Sequence, residues 1–271
     1  MHRALPSDLA EALAASRPRL GRFADRIWYA DALGSTNDAA ARLAGTGAEE
    51  GTTVVADAQQ AGRGRLGRAW FSPAGAGLYA SVVLRSGFPR SARLAPSSPS
   101  LLTLAVGVAL AEALRAATAL PIDIKWPNDL LVGRRKIGGI LAEGFDLATP
   151  SGFVIVGFGV NLRTAAYPPD IERRATSIEA ELGRPVDRGV VLVEALAAID
   201  AWHVHLLEGR FGAILSRWQT LAPSCRGAWI RWTAAEGPHR GVTAGIDQAG
   251  ALLVTVGDRT ERLIAGEITW E

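Results

Sequence analysis

The sequence predicts an α+β fold, a body of strands and helices followed by a small all-β barrel. Up to residue 221, short β-branched runs such as residues 52–56 and 153–162 are interleaved with long stretches free of helix breakers. After Pro223 the texture changes to short strands at hairpin spacing. The predicted division is a body over residues 1–222 and a β unit over residues 223–271. A unit of roughly 45 residues is marginal alone, so it is expected to pack on the body. No internal repeat or low-complexity tract breaks this order.

Taken in order, Ser7–Ala15 reads as a short helix, with Asp8 and Glu11 at capping-box spacing. Residues 26–31 form a strand. Ser35, Thr36, Asn37 and Asp38 then supply N-cap residues for an Ala-rich helix that stops at Gly45 or Gly47. Residues 52–56 and Gly77–Arg85 are strands, and residues 101–117 form a long, largely buried helix ended by Pro121. Residues 122–126 alternate as a strand, a Pro-Asn-Asp turn follows, and two further strands flank a Gly-Arg-Arg hairpin turn. Residues 153–162 make a central strand carrying Gly157, Gly159 and Asn161, and glycines inside a strand weaken it and mark the close approach of a ligand. Residues 190–207 and Phe211–Leu221 are amphipathic helices. His203 and His205 fall two apart, do not face one another, and read as surface residues without a metal. The β unit has strands at 229–232, 240–246, 251–256, 262–264 and 267–270, with turns at 247–250 and 257–259.

The stretch from Asp57 to Tyr79 carries the chemistry. Gly62, Arg63, Gly64, Arg65, Gly67 and Arg68 alternate, and Trp70 closes the run. No acidic residue occurs between Asp57 and Glu112, so these arginines have no local partner and stand free for an anion. Glycines let the backbone approach a ligand and guanidinium forks bind phosphate or carboxylate, so the stretch reads as a cationic clamp. Its bland alternative is a solvated basic loop. GRGRLG satisfies G-x-G-x-x-G, but no helix opens there and no acid follows at the ribose position, so the dinucleotide fingerprint is rejected. A Walker loop is rejected because no lysine lies near.

Composition bounds the rest. Hydrophobic content of 48% and charged content of 21% are ordinary for a globular protein. A net charge of +2 implies neither bulk nucleic-acid nor membrane binding. The single Cys225 rules out an internal disulfide framework and suits a reducing cytoplasm. The N-terminal residues lack the apolar core of a signal peptide, and the apolar stretch near residues 101–114 is expected to fall short of a membrane span. Of 29 basic residues only Lys125 and Lys136 are lysines, both in one segment, where a compact ammonium does what a guanidinium fork cannot.

GSTNDAA, ADAQQAGRGRLGRAWFSP, GAGLYASVVLR, IKWPNDLLV, RKIGGILAE, VGFGVNL, GIDQAGALLV and GEI run in one order over nearly the whole chain. In these motifs the chain resembles a biotin protein ligase, the enzyme that activates biotin with ATP and attaches it to a carrier-protein lysine. The resemblance implies a mixed-sheet catalytic body like that of class II tRNA synthetases and a C-terminal SH3-like barrel. It places Ser35, Thr36, Asn37 and Gln59 in a biotin pocket, a role that adds to capping for Ser35 and Thr36. It also places Gly62, Arg63, Gly64 and Arg65 around the carboxylate and phosphate, and Lys125 at the reacting centre. Arg68, Trp70 and Asn161 match the nucleotide side, Gly157 and Gly159 a backbone close to the ligand, and Lys136 has no assigned role.

The chemistry fits these letters. Joining a carboxylate to the α-phosphate of ATP brings two anions together, which fixed cations, with Mg²⁺ on the phosphates, would offset. No Ser-His-Asp or Cys-His set is present, and attack by the carrier's amine needs none. The implied partners are biotin, ATP and a biotin carboxyl carrier protein; a homodimer is left open. With only a short helix before the first strand, the monofunctional form without an N-terminal DNA-binding domain is expected. Rival readings are a lipoate ligase of the same fold, a nucleic-acid-binding module and a biotin sensor without catalysis.

Overall fold

A computed structural model describes residues 3–85, 98–147, 149, 151–234 and 236–271. Helices α1 (Ser7–Ala15) and α2 (Arg17–Leu20) lead into β1 (Ile27–Leu33), α3 (Thr36–Gly45), β2 (Thr53–Gln59) and β3 (Gly77–Arg85). Helix α4 (Ser98–Thr118) precedes β4 (Ile122–Lys125), β5 (Asp129–Val132), β6 (Arg135–Phe145) and β7 (Phe153–Asn161). Short helices α5 (Pro169–Glu172) and α6 (Ile178–Leu182) connect to the long α7 (Arg188–Leu207) and α8 (Phe211–Leu221). The chain ends in β8 (Arg226–Ala234), β9 (Gly237–Ile246), β10 (Leu252–Val256), β11 (Arg259–Leu263) and β12 (Thr269–Trp270).

The body is a seven-stranded sheet in the order β1-β2-β3-β7-β6-β5-β4. Only β1 and β2 run parallel, because α3 between them returns the chain to the same end of the sheet. Every other neighbour is antiparallel, so the sheet is mixed. Both faces are covered, and the alternation of side chains divides β7 between them. Val154, Val156, Phe158 and Val160 join the main core with α4 and α7. Phe153 and Ile155 join a smaller cluster with Ala40 and Ala44 of α3. This explains why every residue of β7 is buried.

Helix α4 is the centre of the main core. It packs against α7 and α8 on one side and the sheet on the other. The apolar stretches of α4 and α7 are each long and apolar enough, by length and composition, to cross a membrane. That corrects the expectation for residues 101–114, since the helix runs on to Thr118; most of this stretch of α4 is buried in the protein's own core. Helix α7, expected to be amphipathic, buries residues around much of its circumference because α1 and α4 both pack on it. His203 is therefore not a surface residue: it is buried beside Arg22 and Glu50, while His205 is half-buried against Trp202.

The capping expectations change with the contacts. The capping box expected of Asp8 and Glu11 does not form: Pro6 is the N-cap of α1, without a side-chain bond, and Asp8 instead pairs with Arg188 of α7 at 2.9 Å. Ser35 does occupy the N-cap of α3, but its side chain makes no capping bond.

The C-terminal strands form a five-stranded antiparallel sheet in the order β11-β10-β9-β8-β12. As expected from its size, it packs on the body. Ile230, Trp232, Ile246, Leu252, Val254 and Ile268 belong to the same apolar cluster as α4. Trp126, just beyond β4, donates its indole N–H to Gly250 O at 3.1 Å. Because the core is continuous, Ile230→Ala should destabilise the whole chain by about 2–5 kcal/mol in one transition. Urea unfolding followed by far-UV dichroism and tryptophan emission checks this, and an early transition confined to the emission signal would separate the two units.

Candidate active site

The site is a hollow in the sheet face that carries α3. Register places Gly139, Leu141 and Glu143 of β6, Gly159, Gly157 and Ile155 of β7, and Tyr79, Ser81 and Val83 of β3 side by side. Glycines at the centre of this patch leave room above the backbone. Two side chains fill part of it. A Cβ at Gly157 would lie 1.9 Å from Asn37 Oδ1, and a Cβ at Gly159 would lie 2.3 Å from Trp70 Nε1. At these glycines, where a ligand was expected to approach the backbone, protein side chains lie close instead.

Asn37 is held from several sides. Its amide donates to Glu143 Oε2 at 2.6 Å and Leu141 O at 3.3 Å, and its carbonyl accepts from Ser81 Oγ at 2.6 Å. Ser81 Oγ also lies 2.8 Å from Thr36 Oγ1, which lies 3.1 Å from Gln59 Oε1. Two hydroxyl hydrogens serve these three contacts. Asn37 must accept from Ser81, so the hydrogen of Thr36 goes either to Gln59 or to Ser81. Gln59 Oε1 also accepts the backbone N–H of Thr36 at 2.9 Å, and its amide donates to Ser72 Oγ at 2.9 Å. Ser35, Thr36 and Asn37 are all buried, giving one end of the site an uncharged polar lining.

The Arg-Gly stretch folds as a hairpin. Trp70 N–H donates to Gly62 O at 2.8 Å and Gly64 N–H to Arg68 O at 2.7 Å, with Leu66 at φ 56° in the turn. Gly62 does not line the cleft. It sits behind the wall, where a Cβ would lie 2.5 Å from Trp70 O. The expectation that these arginines stand free is corrected for two of them. Arg63 bonds Glu143 at 2.9 and 2.7 Å and Asp38 at 2.7 Å, and Arg68 bonds Glu267 at 2.6 Å. The fold supplies acids that the local sequence lacks. Arg65 makes no ion pair among the described residues; burial lowers its pKa, with Asp129 opposing.

Lys125, at the end of β4, completes the cationic end. Burial lowers its pKa, Asp129 and Glu267 oppose the shift, and Lys136 and Arg174 add to it. Its ammonium sits 5.3 Å from the ring centre of Trp270, which also carries Arg134 at 5.8 Å. Lys136 bonds Asp129 at 2.5 Å and stands 5.1 Å over the ring of Trp70. Asn161, which also lines the cleft, donates its amide to Thr176 O at 3.0 Å.

These groups enclose a cleft of about 400 Å³, with Ser35, Thr36, Asn37 and Gln59 at the uncharged end. Arg63, Gly64, Arg65, Arg68, Trp70, Lys125 and Asn161 line the remainder. Glu143, Ser81, Asp129, Glu267 and Trp270 were not singled out from sequence, although all but Trp270 stand in quoted motifs and Asp129 follows Lys125 in one of them. The others become partners through sheet register or through packing of the C-terminal sheet. Among the described residues no group of three His, Cys, Asp or Glu side chains could hold a metal.

The profile described as the biotin/lipoate A/B protein ligase family matches residues 29–161. The bifunctional ligase/repressor BirA of Bacillus spizizenii is 33% identical over 242 residues, covering 89% of this chain and 72% of its own. The biotin–[acetyl-CoA-carboxylase] ligase of Paracoccus denitrificans is 36% identical over 225 residues, covering 81% and 90%. The Aquifex aeolicus biotin protein ligase in complex with biotin and ATP superposes with a TM-score of 0.77 at 29% identity, covering 91% of this chain and 99% of that one.

Because Asn37 is pinned, it cannot yield to a new methyl group. Gly157→Ala should therefore cost about 1–3 kcal/mol by overpacking. Gly107→Ala in α4, where the nearest atom to a Cβ is 3.7 Å away, should be neutral or stabilising. Equal melting temperatures for the two variants would show that the hollow is not filled as described.

Proposed function

Because the chain belongs to the biotin/lipoate A/B protein ligase family, we propose that its cleft activates biotin with ATP and passes it to a lysine of a biotin carboxyl carrier protein. A biotin carboxylate oxygen bonds to the α-phosphorus of ATP, and pyrophosphate leaves with the electrons of the broken P–O bond. The carrier's lysine amine then attacks the acyl carbon of biotinoyl-AMP, and AMP departs. The observation that carries this reading is the polarity of one continuous chamber, uncharged and hydrogen-bonding at one end, cationic at the other. A neutral ring system with a carboxylate tail fits that gradient. The named relatives are biotin ligases, which favours biotin over lipoate.

In this reading Ser35, Thr36, Asn37 and Gln59 hold the biotin rings, and Gly64 lets the hairpin backbone approach. Arg65 and Lys125 take the carboxylate and α-phosphate, where two fixed charges offset the repulsion of the joining anions. Arg63 is a positioned cation between the pocket and the hairpin. Trp70 and Asn161 face the adenine, Arg68 stands on the same side, and Gly62 keeps the hairpin neck narrow. Magnesium would arrive on the nucleotide's phosphates, since Asp129 and Glu267 are each bound to a cation. We read residues 1–222 as the catalytic body, like that of class II tRNA synthetases, and residues 223–271 as an SH3-like barrel. A cytoplasmic setting agrees with the single cysteine.

Incubation with biotin, ATP and Mg²⁺ should yield biotinoyl-AMP by mass spectrometry, and lipoate in place of biotin should give far less adenylate. No adenylate, or a preference for lipoate, would contradict the proposal. Lys125→Arg should slow adenylation by roughly a hundredfold, because the fork cannot take the position of the ammonium. The lowered pKa of Lys125 also has a sign. Above it the free protein has lost the proton that an anion needs, so biotin affinity should fall with rising pH, beginning below a lysine's ordinary 10.5. Calorimetric titrations across pH should show the fall in the native chain and its absence in Lys125→Met.

A further inference from the structure

Seven basic side chains line the cleft, and three of them are paired with carboxylate side chains. Arg63 is answered by Asp38 and Glu143, Arg68 by Glu267, and Lys136 by Asp129. Arg65 and Lys125 serve the joining anions in the proposed reaction. Two remain, Arg134 and Arg174. Among the described residues neither meets a carboxylate side chain. Arg174 donates to the peptide oxygen of Asp170 at 2.8 Å, and Arg134 reaches an oxygen of the terminal carboxylate of Glu271 only at 3.5 Å.

Both arginines are placed by the fold. The backbone of Arg174 is tied to β6, since Lys136 N–H donates to Arg174 O at 2.7 Å. Arg134 stacks on Trp270, the same ring that carries Lys125, at 5.8 and 5.3 Å. The charge of Arg174 reaches Lys125, contributing to a lowered pKa that burial mainly causes. So two exposed cations without a carboxylate side chain of their own among the described residues flank the lysine at the reacting centre. The carboxylate and α-phosphate do not require them, but adenylation also produces a second, strongly charged anion.

We infer that Arg134 and Arg174 form a subsite for the β- and γ-phosphates of ATP and hold them as they leave as pyrophosphate. This rests on the proposed adenylation. Guanidinium forks suit the task because each can take two phosphate oxygens at once. The bond between α-phosphorus and the bridging oxygen breaks, both electrons go to pyrophosphate, and the two arginines stabilise the added charge.

The test uses the full chain and the variants Arg134→Ala, Arg174→Ala, Arg174→Lys and the alanine double. Three quantities are read: the KM for ATP in adenylation, inhibition by inorganic pyrophosphate, and transfer from presynthesised biotinoyl-AMP to a biotin carboxyl carrier domain. Each alanine variant should raise the KM for ATP by roughly tenfold or more and weaken pyrophosphate inhibition in parallel. Arg174→Lys should recover part of the loss, and transfer should keep its native rate. Unchanged KM and pyrophosphate inhibition would overturn the subsite. Loss confined to transfer would also overturn it, giving these arginines to the carrier's surface. Failure of the native chain to form adenylate would instead overturn the proposed function, and the subsite with it.

Discussion

Asn37 occupies the space that a side chain at position 157 would fill, and much of the site is built outward from that contact. With its carbonyl on Ser81 and its amide on Glu143, it joins the end of α3 to three strands of the sheet. Glu143 passes the connection to Arg63 in the hairpin, and Ser81 passes it through Thr36 to Gln59. A buried polar network of this kind is worth having only when its members are satisfied, because an orphaned amide or hydroxyl in that position is costly. Here the partners come from four separate segments. The pocket wall and the hairpin arginine are thus parts of one structure.

Charge is distributed with equal economy. Arg63 and Arg68 arrive at the cleft already bonded to carboxylates, whereas Arg65 and Lys125 do not. The first pair shapes the cleft and fixes the hairpin against the body and against Glu267 ahead of β12. The second pair has no carboxylate bonded to it among the described residues, in surroundings dry enough to lower both pKa values. Burial weakens the hold on a proton and strengthens the attraction for an anion by the same physics.

Much of the fold was legible in the sequence because its signals are local. Strand β3 and helix α8 have the predicted bounds, and the change of texture at Pro223 marks the second sheet. Gly157 and Gly159 were read as making room for a ligand, and the side chains of Asn37 and Trp70 that lie against them come from distant segments. The arginines of the hairpin were readable as a cluster of cations, but their pairing was not. Arg63 and Glu143 lie 80 positions apart in the chain and Arg68 and Glu267 lie 199 apart, distances over which an acid-free window says nothing. Glu143 and Ser81 face the site only because of strand register, and Trp270 only because the second sheet packs where it does. His203 was misplaced for a related reason: spacing on one helix does not reveal what packs against it.

The central claim, that pocket wall and hairpin arginine act as one network through Glu143, is tested most directly by a double-mutant cycle on biotin affinity. Asn37→Ala, Arg63→Ala and the double variant would be titrated with biotin by calorimetry. The account predicts a coupling energy of roughly 0.5–3 kcal/mol although the two side chains meet only through a third. Additive losses, within about 0.5 kcal/mol, would contradict it and make the wall and the hairpin independent.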